Sequence, residues 1–259
     1  MTSQNKSGGV IVRLARILLP EATRSRIVSF QKKHRLQWPR TGSVDFAALR
    51  RLTPISPIFG MERGQVIDRY YIEKFLDEHR SFVKGRALEL GDATYIRRYG
   101  DGQVTQTDVL SYVPGGTETT IVADLTHCPH IPDNTFDCII FTQALQMIYD
   151  LSAAMSELNR ILKPGGSVLL TTHGTSKIAR RLGRDDWGEY WRLTAQGLER
   201  LVAETMPGCD CHLRVYGNVL SASAFLYGLA SEDLTPAELD FSDPDFEVLI
   251  GACITKCNT

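Results

Sequence analysis

Residues 136–172 read FDCIIFTQALQMIYDLSAAMSELNRILKPGGSVLLTT, and the fold is decided there. The apolar run Phe136–Thr142 predicts a strand, and Leu151–Leu162 has helical spacing. The turn Leu162-Lys163-Pro164-Gly165-Gly166 stops that helix, because glycine supplies a left-handed cap and proline cannot continue a helix. It launches the apolar strand Ser167–Thr172. Strand, helix and strand in this order are the unit of a mostly parallel sheet with helices on its faces.

Working outward, further strands are predicted at Ala87–Leu90, Val104–Thr107, Thr120–Val122, His212–Val215 and Val248–Ile254, and a second helix at Thr194–Thr205. Val66–Phe82 has helical spacing, with Ile67, Tyr71, Phe75 and Phe82 able to share a face. The expected fold class is therefore α/β, a Rossmann-like sheet of seven strands, mostly parallel, with helices on both faces. Ahead of it lies a basic helical and extended arm. Residues 1–9 read as a tail, and Val10–Leu19 as a short helix with Ile11, Leu14, Ala15 and Leu18 on one face, ended by Pro20. Residues 21–64, punctuated by Pro39, Pro54, Pro57 and Gly60, fit a helix followed by an extended arm. The expected division is an arm over residues 1–64 and one domain over 65–259.

The chain has 259 residues, 43% of them hydrophobic and 23% charged, with a mean hydropathy of -0.14. These values suit a soluble globular protein and exclude long disorder or a fibrous repeat. The six cysteines lack zinc-ribbon spacing, and a chain of this size needs no disulfide staples, so a reducing cytoplasm is expected. Val10–Leu19 contains Arg13 and Arg16 and is too short to span a bilayer. The net charge of -1 hides a split: residues 1–51 hold 11 Lys+Arg and 2 Asp+Glu, giving +9, and the remainder gives -10. A basic arm of this kind suits an anionic surface, the phospholipid of a membrane periphery or nucleic acid, or the chain's own acidic body.

In an open parallel sheet, ligands bind beyond the carboxyl ends of the strands, where strand order reverses. The first strand ends in Leu88-Glu89-Leu90-Gly91-Asp92, where Gly91 lets the backbone turn tightly without a Cβ. The second is expected to end at Asp108, a carboxylate able to accept two ribose hydroxyls, and the third at Asp124. The fourth delivers Thr142 and Gln143 to the same rim.

With the Ala123-Asp124-Leu125-Thr126 segment, the FDCII strand and the LKPGG turn in place, the chain resembles the class I methyltransferases that use S-adenosylmethionine, in particular the methyltransferase type 11 branch. The resemblance covers about Gly85–Thr172 well and Trp187–Lys256 loosely. It implies that Glu89 and Gly91 meet the methionine part of the cofactor, that Asp108 holds ribose, and that Asp124 with Leu125 holds adenine. The family loop usually carries three alternating glycines. Here it runs Glu89-Leu90-Gly91-Asp92-Ala93-Thr94-Tyr95, with only the first, and Tyr95 puts a bulky side chain where the cofactor backbone comes close. Arg69, in the preceding helix, can compensate by pairing with the cofactor carboxylate; its alternative is a surface ion pair with Asp68 or Glu73.

The methyl acceptor is expected among Gln143, Gln146, Trp187, Tyr190, Trp191 and Arg192, with His173 as general base. For the aromatic residues the alternative is core or lid packing, and for His173 a cap on the next helix. Aromatic side chains interleaved with Gln and Arg suit a sugar or polar metabolite, so O-methylation of a glycan or sugar-containing molecule is expected. The degenerate glycine loop sets a second expectation beside it, a methyltransferase-like protein that binds without catalysing. Nucleic acid is not an expected partner, since the chain lacks the (D/N/S)-P-P-(Y/F) motif of amino-methylating enzymes and any RNA-binding module. His127, Cys128 and His130 have no further ligand pair, and Cys209-Asp210-Cys211 lacks the two-residue spacer, so no metal is expected.

Overall fold

The computed structural model describes residues 20–34, 44–179 and 188–258. The chain divides into two compact units, Met1–Leu52 and Thr53–Thr259. In the first, α1 (Glu21–His34) forms a helix in which the rings of Phe30 and His34 lie 4.4 Å apart. The helix expected over Val10–Leu19 lies outside the described residues. The division falls after Leu52, not after residue 64, because residues 53–64 are fastened to the second unit. The amides of Ile55 and Ser56 donate to the Tyr227 carbonyl at 2.8 and 3.2 Å, and Arg63 pairs with Asp233 at 2.7 Å.

The second unit is built on seven strands: β1 (Gly85–Leu90), β2 (Val104–Ser111), β3 (Ile121–Val122), β4 (Phe136–Thr142), β5 (Leu162–His173), β6 (Cys209–Tyr216) and β7 (Leu249–Lys256). Their order across the sheet is β3-β2-β1-β4-β5-β7-β6. The first five pair in parallel, and β7 is antiparallel to both its neighbours. All the strands anticipated from sequence are present. The LKPGG turn is absorbed into β5 as a bulge, since Phe136 pairs with Leu162 whereas Cys138 pairs with Ser167.

Alternate residues of the central strands feed two cores. Cys138 and Ile140 of β4 join Leu169, Leu249 and Cys253 under α2 (Ile67–Glu78), which contributes Tyr71 and Phe75. Ile139 and Phe141 face the other way and join Val168, Leu170 and Ile250, covered by α4 (Leu151–Ile161) and α5 (Ala195–Thr205). Both covering helices start on side-chain caps: Asp150 accepts from the Ala153 amide at 2.9 Å and Thr194 from the Gly197 amide at 3.1 Å. A Cβ on Gly251 of β7 would stand 2.6 Å from the Phe75 ring, so the residue's absent side chain is what lets α2 settle on the sheet. Three helices add to those expected: α3 (Thr94–Tyr99), α6 (Val219–Tyr227) and α7 (Pro236–Asp240). No helix among the described residues is long and apolar enough to cross a membrane.

Candidate active site

Because β1 to β5 run parallel, their carboxyl ends share one edge, and the strand order reverses between β1 and β4. Gly91 and Gln143 flank that reversal. Gly91 has φ +86°, which favours glycine, and a Cβ added there would meet nothing within 4 Å: the loop turns beneath open space. Glu89, buried at the end of β1, accepts the amides of Tyr95 at 3.1 Å and Ile96 at 2.8 Å and so fixes the first turn of α3. Burial pushes its carboxyl up to about 7 against those two donors.

The expectation that Tyr95 intrudes on the ligand side is corrected. Its side chain is buried in the α2 core and stacks with Tyr99 at 6.3 Å. In place of further glycines the chain enters a helix directly. Glu118, from the loop after β2, accepts the Ala93 amide at 3.2 Å and Arg97 at 2.9 Å, a brace with no local signal in the sequence.

Asp108 is also corrected. It lies opposite Leu88 in mid-strand, and β2 continues to Ser111. Its carboxylate, 8% exposed, takes Nε of Arg86 at 2.7 Å, Oγ1 of Thr120 at 3.3 Å and Nε2 of Gln106 at 3.3 Å. The acid is bonded within the sheet, three residues below the rim. Asp124 does reach the rim and is exposed, with Oδ1 holding the amide and hydroxyl of Thr126 at 2.8 and 2.7 Å. Leu125 beside it is buried in the core, and Thr142 ends β4 opposite Thr171.

Arg69 stands exposed at the start of α2 and makes no ion pair among the described residues. Glu73, offered as its alternative partner, pairs with Arg98 at 2.8 Å. Asp68 next to it is half-buried near His173; burial raises its carboxyl, with His173 and Arg69 opposing. The proximity of Asp68 to a residue 105 positions later has no local sequence signal.

The acceptor side is assembled by Gln146. It is fully buried, which corrects its assignment as a substrate contact. Its Nε2 donates to the carbonyl and Oε1 of Gln143 at 2.9 and 3.1 Å, and its Oε1 accepts from Thr172 at 3.0 Å. Its carbonyl accepts the amides of Tyr190 at 2.9 Å and Trp191 at 3.3 Å. Gln146 thus brackets the β4 end to the later segment. Gln143 is held at φ +52°, and its Nε2 is buried without a partner among the described residues. Tyr190 and Trp191 gather with Tyr149, at ring separations of 5.3 and 5.9 Å, into a partly exposed aromatic cluster. Trp187 lies outside the described residues. His173 ends β5 with its ring buried, Nε2 at 2.9 Å from Glu189 Oε1. Arg192 is folded back onto Glu189 and the carbonyls of Lys177 and Trp191, so its guanidinium is engaged within the protein.

A sheet of this order, a glycine turn after β1, an acid after β3 and polar groups at the ends of β4 and β5 define one architecture. The methyltransferase-domain family model matches residues 92–170. The chain has the class I methyltransferase fold. It is similar in structure to the [4+2]-cyclase SpnF, with a TM-score of 0.50 at 18% identity over 81% of this chain and 88% of that one. Among curated proteins it matches the ubiquinone/menaquinone biosynthesis C-methyltransferase UbiE of Teredinibacter turnerae, 49% identical over 39 residues. It also matches the malonyl-[acyl-carrier protein] O-methyltransferase of Yersinia pestis, 32% identical over 72 residues. These matches cover 15% and 28% of this chain, and 16% and 24% of the respective relatives. Shared methyltransferase fold positions the rim described above; the reaction has to be argued from the side chains there.

Proposed function

We propose that the chain is an S-adenosylmethionine-dependent methyltransferase that methylates a hydroxyl of a neutral, polar acceptor, a sugar or sugar-containing metabolite. One observation carries this reading: His173 ends β5 at the rim, bonded through Nε2 to Glu189, with its Nδ1 buried and unpartnered among the described residues. Such an imidazole suits an acceptor that must lose a proton. A carboxylate acceptor needs no base and would meet the anion of Glu189 and the carboxyl of Asp68.

The loop fits the cofactor. Gly91 leaves open space above the β1 end, Arg69 offers an unpaired guanidinium for a carboxylate, and Asp124 offers an exposed acceptor near the β3 end. When bound, S-adenosylmethionine supplies a methyl group on a sulfonium. Glu89 holds the loop and Gln146 holds the acceptor wall, so positioning is built into buried bonds. The cluster of Tyr149, Tyr190 and Trp191 supports a sugar, whose C–H faces pack on aromatic rings.

Calorimetry with S-adenosylhomocysteine, followed by transfer of labelled methyl groups to a panel of neutral glycosides and carboxylic acids, tests this. Binding with transfer to the glycosides supports the reading, and transfer to carboxylates alone removes it. The single-glycine loop, braced by Glu118, favours a second reading, a protein of this fold that has lost catalysis, and with it the cofactor, and serves as a binding or scaffold module. Absence of binding in the calorimeter would support that one. We further propose that the basic arm, +9 over residues 1–51, attaches a cytoplasmic enzyme peripherally to anionic membrane. Salt-sensitive sedimentation with anionic vesicles, lost on deleting the arm, checks it.

A further inference from the structure

At the end of β5 three donors converge on one carboxylate. Oε1 of Glu189 takes Nε2 of His173 at 2.9 Å and also Nη1 of Arg192, and Oε2 takes the main-chain N–H of Ala179. The His173 and Glu189 side chains are 5% and 0% exposed. Burial by itself raises a carboxyl, but the His173, Ala179 and Arg192 contacts hold Glu189 down at about 2. Glu189 is therefore an anion that accepts hydrogen bonds and has none to donate. The imidazole nitrogen facing it must carry the proton, which leaves the lone pair on Nδ1. Among the described residues, the remaining charged groups around the pair are Asp68 and Arg69 at the start of α2, and Lys177 and Arg192 beside Glu189.

We propose that Glu189 is the positioning residue of this site: it fixes the His173 imidazole as the Nε2–H form and so makes Nδ1 the base for a hydroxyl acceptor. This rests on the site's being a methyl-transfer centre. The balance is simple. The acceptor oxygen would bond to the methyl carbon as the methyl–sulfur bond breaks, the electron pair of that bond staying on sulfur in the departing neutral thioether; the hydroxyl proton passes to Nδ1, so the positive charge lost from the sulfonium reappears on the imidazolium, beside the Glu189 anion. Because Glu189 also joins Ala179 to Arg192, the base is set only when both of these chain segments are docked on the end of β5.

The geometry makes Glu189→Gln a diagnostic change. Every contact of the carboxylate among the described residues is with a donor, so one end of the glutamine amide must place N–H against N–H. The conflict at His173 is relieved if the imidazole moves its proton to Nδ1 and accepts from the amide through Nε2. Arg192 still keeps the carbonyls of Lys177 and Trp191. A merely structural Glu189 has no reason to change the tautomer.

The experiment is long-range proton–nitrogen correlation NMR on the full-length chain with labelled histidine, at about pH 8, above the ordinary imidazole range. The His173 signal is assigned by its loss in His173→Asn. Wild type and Glu189→Asp are expected to show protonated Nε2 and bare Nδ1, and Glu189→Gln the reverse. Protonated Nδ1 in the wild type, or an unchanged tautomer in Glu189→Gln, overturns the proposal, and the wild-type spectrum alone decides if the glutamine variant does not fold. Calorimetry with S-adenosylhomocysteine on the same samples separates the two levels. No binding by the wild type removes the methyl-transfer reading and leaves the tautomer result to be judged on its own; binding by a wild type protonated at Nδ1 removes only the role of Glu189.

Discussion

The carboxylate of Asp108 lies 2.7 Å from Nε of Arg86, and Arg86 in turn lies over the Phe136 ring at 5.2 Å. An acid whose spacing suggests a ligand contact is thereby part of the sheet's own scaffold.

Asp108→Ala is expected to cost stability and leave ligand binding alone. It strands a partly buried guanidinium, a loss of about 2 kcal/mol, less than for a fully buried pair because Arg86 keeps some solvent contact. For a chain of this size that is roughly 4 to 8 °C in melting temperature. Thermal unfolding and calorimetry with S-adenosylhomocysteine check it, and a tenfold loss of affinity with unchanged melting would restore the ribose assignment.

Arg69→Ala is expected to behave in the opposite way. Its guanidinium has no ion-pair partner among the described residues, so melting should move by no more than about 1 °C. A lost charge-assisted contact to the ligand carboxylate corresponds to roughly 1.5 to 3 kcal/mol, a tenfold to hundredfold weaker affinity for S-adenosylhomocysteine. Unchanged affinity would return Arg69 to the status of a surface residue.

His173→Ala is expected to lower kcat for a hydroxyl acceptor by about 10² to 10⁴, the usual contribution of a general base. Affinity for S-adenosylhomocysteine should stay within a few-fold of wild type. A kcat within a few-fold of wild type would leave His173 as a packing residue tied to Glu189.

Acid sensitivity is expected from Glu157. Its carboxylate takes Nε and Nη2 of Arg160 at 3.0 and 2.8 Å and the amide and thiol of Cys128 at 3.0 and 2.8 Å. The Arg160 bond above all holds it at about 2, well below the ordinary 4.5. A depressed carboxyl contributes stability above its unfolded value and loses it as pH falls through the folded one, here between about 4.5 and 2. With partial solvent contact the contribution is roughly 1 to 2 kcal/mol. Glu157→Gln should melt lower than wild type at pH 6, and the gap should close towards pH 2.5. A gap independent of pH would show that the ion pair is not its source.

The two strands at the centre of the sheet were legible because each carries a continuous apolar run, Cys138–Phe141 in β4 and Val168–Leu170 in β5: Phe136–Thr142 needed no adjustment. What escaped was set by partners far along the chain. β2 runs past Asp108 because Arg86, 22 residues earlier, neutralises an acid inside the sheet. The six-residue α3 escaped because its amides are received by Glu89, a cap placed before the helix and on another element. Glu189 carries no local sign of its role, because its donors among the described residues come from β5, from Ala179 and from Arg192 three positions on. Gln146 looked like a lining residue because a buried glutamine and an exposed one are the same letter.

The place of β7 constrains how the molecule is made. Among the described residues β6 hydrogen-bonds to no strand but β7, and β7 also seals the edge of β5, so residues 249–256 hold two strands that precede them. During synthesis the parallel half from β3 to β5 can assemble early, while β5 keeps an open edge and β6 has nothing to pair with. Completion of this sheet therefore waits for residues 249–256 to leave the ribosome, and in that interval the exposed edge of β5 is where a nascent chain is open to chaperone capture or to mispairing with another copy.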